Sequence, residues 1–167
     1  MSGASTTSPV EFASLLEACY RRVGDRAMRD LPIYNDALDV AAVGFAIRDA
    51  AISGILITPW FMNLVLCPLD GSLASHSLGS SITHDFPAGS IDFTIGAAID
   101  GIGRVASCSL FSPMDEFSTM VQARATAEAA WLEILLPPAD HERPAAKVAA
   151  AVDRRRFLRG ELAEPQP

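Results

Sequence analysis

Apolar residues recur at Phe12, Leu15, Leu16, Cys19, Tyr20 and Val23, a spacing that gathers them on one face of a helix, with Glu17, Arg21 and Arg22 opposite. Ser8, Pro9 and Glu11 form the start signal. Serine caps, proline suits the first turn, and a glutamate three residues on returns the capping bond. The helix either ends at Gly24 or runs on to Met28. Leu31-Pro32 closes it in both cases, because a residue before proline avoids helical geometry. From Val40 to Ile47 the period shortens to two, with Val43, Phe45 and Ile47 alternating, which predicts a strand.

Twenty residues without a charge follow, Ala50–Leu69. A run of that length would suffice to cross a bilayer as a helix. Pro59 in its middle argues against one, since an interior proline removes a backbone bond and clashes with the preceding turn. Gly54, Asn63 and Pro68 interrupt it further, and no Lys or Arg cluster flanks it. The run instead predicts two strands, Ile52–Thr58 and Phe61–Leu66, joined at a Pro-Trp corner and covered on both faces.

Asp70–Gly89, rich in Gly and Ser with two histidines, reads as a loop. Alternation returns over Ser90–Ile95, a turn spans Gly96–Gly101, and Ile102–Phe111 reads as another strand. Ser112-Pro113-Met114-Asp115 repeats the cap-proline-acid signal and predicts a second helix, with Phe117, Met120, Val121, Ala127, Trp131, Leu132 and Leu135 as its stripe and Pro137-Pro138 as its stop. Lys147–Leu158 could form a short helix in the tail. The elements add up to an α+β fold. One domain, residues 8–138, carries a mostly antiparallel sheet of about five strands with packed helices at its N-terminus and in its C-terminal half. A flexible start, 1–7, and an Arg-rich tail, 139–167, flank it.

Composition narrows the function. The net charge of −7 disfavours non-specific nucleic-acid binding and suits a basic peptide or protein partner. Lys147 is the sole lysine and sits in neither a phosphate loop nor a setting for Schiff-base chemistry. Cys19, Cys67 and Cys108 lie far apart without a Cys-x-x-Cys, which fits buried thiols in a reduced cytoplasmic setting. No leader-like segment is visible at the N-terminus.

Candidate chemistry is sparse. His76, His84, Asp85 and Asp92 could in principle hold a metal and make the His76–Asp92 loop the site of a small enzyme, but a histidine spacing of eight fits no common zinc motif. Asp115 and Glu116 are adjacent acids that suit a helix start better than acid–base catalysis. No catalytic residue, metal ligand or cofactor is assigned. Trp60, Phe61 and Met62 either fill the core or floor a groove for an apolar peptide. Arg154, Arg155 and Arg156 form a basic patch that is a solvated tail, a dock for an acidic partner, or a segment returning to the protein's own acidic surface.

Gly44-Phe45, Gly54, Thr58-Pro59-Trp60-Phe61-Met62-Asn63-Leu64, Gly89 with Phe93, Cys108-Ser109-Leu110-Phe111-Ser112-Pro113-Met114 and Arg154-Arg155-Arg156-Phe157-Leu158-Arg159-Gly160 occur in this order. Over about residues 8–160 the chain resembles the HybE/HupJ family of [NiFe]-hydrogenase assembly chaperones. The resemblance implies a cytoplasmic accessory protein that binds the precursor hydrogenase small subunit, with its twin-arginine export signal as the candidate ligand and the large subunit as a further partner. A permanent accessory subunit is the alternative within that setting. Some relatives add a rubredoxin domain with paired Cys-x-x-Cys, which is missing here, and no catalytic residue carries over. A twin-arginine signal is a basic segment followed by an apolar one, so its binder needs an acidic rim beside an apolar floor. Asp70, Asp115 and Glu116 are the expected rim. Trp60, Phe61, Met62 and Met114, with the neighbouring Asn63, are the expected floor.

Overall fold

The computed structural model describes residues 7–138. The first helix, α1, spans Pro9–Val23 and is capped as its sequence predicts, with Ser8 Oγ accepting from the Glu11 amide at 3.2 Å. It continues past Gly24 as a wider π-helical turn, Gly24–Met28. Six strands follow: β1 Ala41–Arg48, β2 Ala51–Ile57, β3 Met62–Pro68, β4 Ser81–Phe86, β5 Gly89–Ile99 and β6 Gly103–Phe111. The second helix, α2, spans Met120–Leu135. All strand pairings are antiparallel, in the order β1-β2-β3-β6-β5-β4.

The fold is α+β with a single antiparallel sheet between two helices, and it has one strand more than the sequence pattern predicted. The extra strand is β4, inside the stretch read as loop. Its Ile82, His84 and Phe86 alternate with the exposed Ser81, Thr83 and Asp85, and β5 supplies its backbone partners. Glycine and serine on either side hid a six-residue strand whose alternation is carried by only two aliphatic or aromatic residues.

The uncharged run forms β2, the Pro-Trp corner and β3, and all seven residues of β2 are buried. Its side chains alternate between two cores. Ile52 and Leu56 join Phe12 and Leu16 of α1, while Ala51, Ile55 and Ile57 join Ala123, Ala127, Ala130 and Trp131 of α2. Fully burying a side chain such as Phe12 or Leu16 contributes about 1.5–3 kcal/mol. Ala123, Ala127 and Ala130 of α2 are fully buried and let this helix lie close against the sheet.

Where α2 begins differs from the prediction. Ser112–Thr119 is a loop, entered through a cis Ser112–Pro113 peptide, and the helix starts at Met120. Thr119 Oγ1 caps it by accepting from the Gln122 amide at 3.1 Å, and Gln122 Oε1 accepts from the Ser118 amide. The stripe moves accordingly. Val121 and Leu132 are exposed, whereas Ala123, Thr126, Ala130 and Ile134 face the core alongside Ala127 and Trp131. Small residues line the buried face, so apolar bulk misplaces it. The short helix predicted over Lys147–Leu158 lies outside the described residues.

Two further devices fix the sheet. Glu17 and Arg21 of α1 reach the outer strand, where Glu17 Oε1 accepts from the Ala42 amide (2.9 Å) and Arg21 donates to the Val40 carbonyl (3.0 Å). Backbone groups of an edge strand that would otherwise pair with another chain are thereby occupied. A bulge at Gly44 (φ +71°) lets the Trp131 ring approach so closely that a Cβ there would lie 2.5 Å from it.

Gly44→Ala should therefore cost more than about 2 kcal/mol, from left-handed backbone and steric clash together. Ser53, buried in β2 with a hydroxyl that has no hydrogen-bond partner among the described residues, should tolerate the opposite change. Ser53→Ala is expected to gain on the order of 1 kcal/mol by removing an unsatisfied polar atom. Urea unfolding midpoints of the two variants check both signs.

Candidate functional site

The Pro-Trp corner is held by a side chain that acts like backbone. Thr58 Oγ1 accepts from the amides of Trp60 (3.3 Å) and Phe61 (3.0 Å), while the Thr58 amide donates to the Phe61 carbonyl (2.8 Å). The turn swings Trp60 inward, where it is 7% exposed. Its ring stacks on Tyr34 (centroids 6.1 Å apart) and meets Phe61 edge-on (5.7 Å), with Tyr20 beside it (6.5 Å). Gly24 backs onto the same ring, and a Cβ there would come within 3.2 Å. The glycine that opens the π-helical turn thus gives the indole its place.

Asn35 ties this corner to two other loops. Its amide N–H donates to the Pro59 carbonyl (2.9 Å), and its side-chain Nδ2 donates to the carbonyls of Met114 (3.0 Å) and Phe117 (2.8 Å). Between the joined segments lies an open cleft of about 470 Å³. Pro32, Ile33, Tyr34, Asp36, Asp115 and Phe117 contribute to its walls. Asp36, Asp115 and the adjoining Glu116 are exposed, and none of the three forms an ion pair among the described residues. Ile33, 44% exposed, gives the wall an apolar surface. Arg29 is the nearby cation. Its guanidinium is held further into its charged form by the Tyr34 hydroxyl, then by the Asp25 and Asp36 carboxylates, and it pairs with Asp25 at 2.6 Å.

The residues expected to bind a partner are scattered by the fold. Trp60, Met62 and Met114 are core residues, the latter two with no exposed surface. Buried to this degree, their side chains offer a partner almost no surface. The reason is the strand pleat and the inward turn at Thr58, which put Met62 and Met114 into the α2-side core. Phe61 and Asn63 are half-buried. Asp115 and Glu116 stand at the Met62 end of β3, where Met62 pairs with Phe111. Asp70 follows the opposite end of that strand, about 20 Å away at strand rise. There it forms a turn, accepting from the Ser72 amide at 2.9 Å, and Ser72 holds its carboxyl below the usual range. Arg154, Arg155 and Arg156 lie outside the described residues.

Pattern reading missed Ile33, Tyr34, Asn35 and Asp36. Leu31-Pro32 marked a boundary, but nothing local shows that the segment after it meets residues 79 and 82 positions further along.

The histidine loop is divided by β4. His76 ends a short 3-10 turn, Ser72–Ser75, with Nδ1 at 2.9 Å from the Ser72 carbonyl, and His84 packs edge-on against Phe86. Asp92 accepts from Thr83 Oγ1 at 2.7 Å, and Asp85 accepts from the Ser90 hydroxyl. Among the described residues no three His, Cys, Asp or Glu side chains gather closely enough to hold a metal ion. Among them, too, no helix is long and apolar enough to cross a membrane. Cys19 and Cys67 are free thiols, and burial pushes the Cys67 thiol up.

Comparison with known proteins gives one consistent result. Residues 11–160 match the family described as [NiFe]-hydrogenase assembly, chaperone, HybE. The chain is 52% identical over 157 residues to the hydrogenase expression/formation protein HupJ of Bradyrhizobium diazoefficiens, covering 93% of this chain and 91% of that protein. It is 36% identical over 122 residues to the probable rubredoxin HupJ of Rhodobacter capsulatus, covering 72% of this chain and 44% of that longer protein. The solution structure of HybE from Escherichia coli superposes with a TM-score of 0.59 at 25% identity, over 83% of this chain and 88% of that one.

Asn35→Ala should loosen both walls of the cleft at a cost of about 2 kcal/mol, since two carbonyls lose their donor. Asn35→Asp should cost at least as much, because a carboxylate faces the same carbonyls. Chemical denaturation measures the two. Cys67, with its raised thiol, should react with iodoacetamide at pH 8 more slowly than the same cysteine in the urea-unfolded chain. Its rate should climb as pH passes above the ordinary thiol range, which peptide mapping after timed alkylation would follow.

Proposed function

Because this chain belongs to the HybE family of [NiFe]-hydrogenase assembly chaperones, we propose that it binds the precursor of a hydrogenase small subunit through its twin-arginine signal and releases it for export when assembly is complete. The cleft between residues 32–37 and 115–118 is the receiving surface in this reading. One observation carries it: Asp36 and Asp115 open onto the same cleft as Pro32 and Ile33. Paired arginines need carboxylates with free lone pairs, and the apolar residues after them need a dry wall. The chain's charge of −7 steers a basic segment towards the surface from a distance.

The action is reversible binding in the cytoplasm, ahead of export, with no bond made or broken. Exposed charge pairs contribute about 0.2–1 kcal/mol each, so the signal is held loosely enough to be handed on. Glu116, exposed and next to Asp115 in the chain, extends the acidic rim, while Phe61 and Asn63 are half-buried beside the corner. The large subunit is a further partner, one that would approach the same complex without occupying the cleft.

Replacing Asp36, Asp115 and Glu116 by Asn, Asn and Gln should weaken capture of the precursor roughly tenfold at low salt, as expected from three exposed pairs. The difference should shrink towards 1 M salt, where screening extends to about 3 Å. Calorimetry against precursor with and without its signal measures this. Equal capture of the signal-less form would move the contact to the folded part of the subunit. A salt-independent affinity would remove the electrostatic component.

A further inference from the structure

The chain itself carries a segment with the chemistry that the cleft is suited to receive. Arg154-Arg155-Arg156-Phe157-Leu158-Arg159 sets consecutive arginines immediately before an apolar pair, the same order of basic then apolar residues as in the export signal. We propose that this segment is an internal pseudo-ligand. It docks in cis into the cleft of Pro32, Ile33, Asp36 and Asp115 and must be displaced before a precursor can bind. The inference rests on the proposal that the cleft is a peptide site, and not on which protein supplies the peptide.

Three observations lead to this occupant. The first is charge. Residues 1–138 contain fifteen acids and seven basic residues, while residues 139–167 contain five acids and six basic residues. The two parts therefore attract, and four of those six basic residues fall within Arg154–Arg159. The second is the form of the cleft, where the exposed acids Asp36 and Asp115 line the same walls as the apolar Pro32 and Ile33. Arginines and a Phe-Leu pair each find a matching surface. Arg29, the nearby cation, is already paired with Asp25.

The third is reach. The cleft lies at the N-terminal end of α2, since Asp115, Phe117 and Ser118 directly precede it, and Pro138 follows its C-terminal end. The 16-residue helix makes the span about 24 Å. Fifteen residues, and so sixteen Cα–Cα steps, separate Pro138 from Arg154. A random coil of sixteen steps has a root-mean-square extent of about 20–24 Å and a limit of about 53–58 Å. Effective concentration is highest when the typical extent of a connection matches the span, and it then lies in the millimolar range. A segment that binds as a free peptide with a dissociation constant on the order of 0.1 mM would then occupy the cleft most of the time, and would reduce the affinity of any competitor roughly tenfold. Such a tail admits a ligand that outcompetes it and keeps weak basic peptides out.

The probe is a fluorescently labelled synthetic peptide of residues 151–161, titrated into full-length protein and into the full-length Arg154→Gln, Arg155→Gln, Arg156→Gln variant. The peptide should bind the variant roughly tenfold more tightly than the unaltered chain. Adding Asp36→Asn and Asp115→Asn to the variant should weaken that binding roughly fivefold at low salt. In amide NMR spectra, residues 33–37 and 115–118 should shift between the unaltered chain and the variant, equally at low and high protein concentration. Equal peptide binding to both chains overturns the proposal, as does no binding to the variant. Shifts that appear only at high concentration, together with dimers in sedimentation, overturn docking in cis in favour of a second copy. The peptide contains nothing of a hydrogenase, so its binding stands or falls apart from capture of the precursor. A chain that docks its tail but ignores the export signal would refute the function proposed above and leave this inference intact.

Discussion

A strand with no polar face has to be covered on both sides, and β2 is that strand. Its seven residues are all buried, so neither helix can be dispensed with. On one side α1 supplies Phe12 and Leu16, and on the other α2 supplies alanines and Trp131. The helices cannot rest on the sheet in the same way. Against α1 the sheet presents Phe45, whose ring lies over Gly54 and 5.6 Å from Phe12. Against α2 it presents the bulge at Gly44, into which Trp131 settles. Two adjacent residues of β1 thus serve opposite cores, and the bulge between Val43 and Ala46 re-aims the strand between them.

The same constraint creates the cleft. Because β2 and β3 are both interior strands, their connection must turn within buried surroundings, and its backbone groups need partners other than water. Thr58 supplies some of them and Asn35 takes the Pro59 carbonyl. Asn35 in turn draws the 112–119 loop towards the 32–38 segment through the Met114 and Phe117 carbonyls. Those carbonyls are engaged by a side chain, and the helix begins only at Met120, where Thr119 and Gln122 cap it. An open surface bounded by two segments, residues 32–37 and 115–118, is left over, with acids at its rim because the loops are where the charged residues could remain in water.

Membership of the assembly-chaperone family was legible in short words such as Thr58-Pro59-Trp60, and the structure gives those words physical meaning. Threonine closes the turn, tryptophan fills the space beside Gly24, and Gly44 and Gly54 admit aromatic rings. The site was far less legible. Met62 and Met114 look like adaptable contact residues, yet the pleat and a loop turn them inward. Asp70 looks like part of an acidic rim, yet it stands at the other end of a strand and serves a turn. Asp36, which does open onto the cleft, has no distinguishing neighbour in the chain. β4 was hidden for a related reason, since its short alternating run becomes a strand only when β5 offers it hydrogen bonds.

What the sequence determined alone is what nearest neighbours and periodicity control. The cap at Ser8, the amphipathic face of α1, the division of the uncharged run into two strands and the stop at Pro137-Pro138 all depend on interactions within a few residues. What only the tertiary structure decided is which polar atoms meet across long separations. The bonds from Asn35 to residues 114 and 117 place the acids, hold the corner and shape the cleft, and no local preference encodes them. Their geometry follows from burying both faces of β2 at once, a demand that the whole chain satisfies and no segment satisfies by itself.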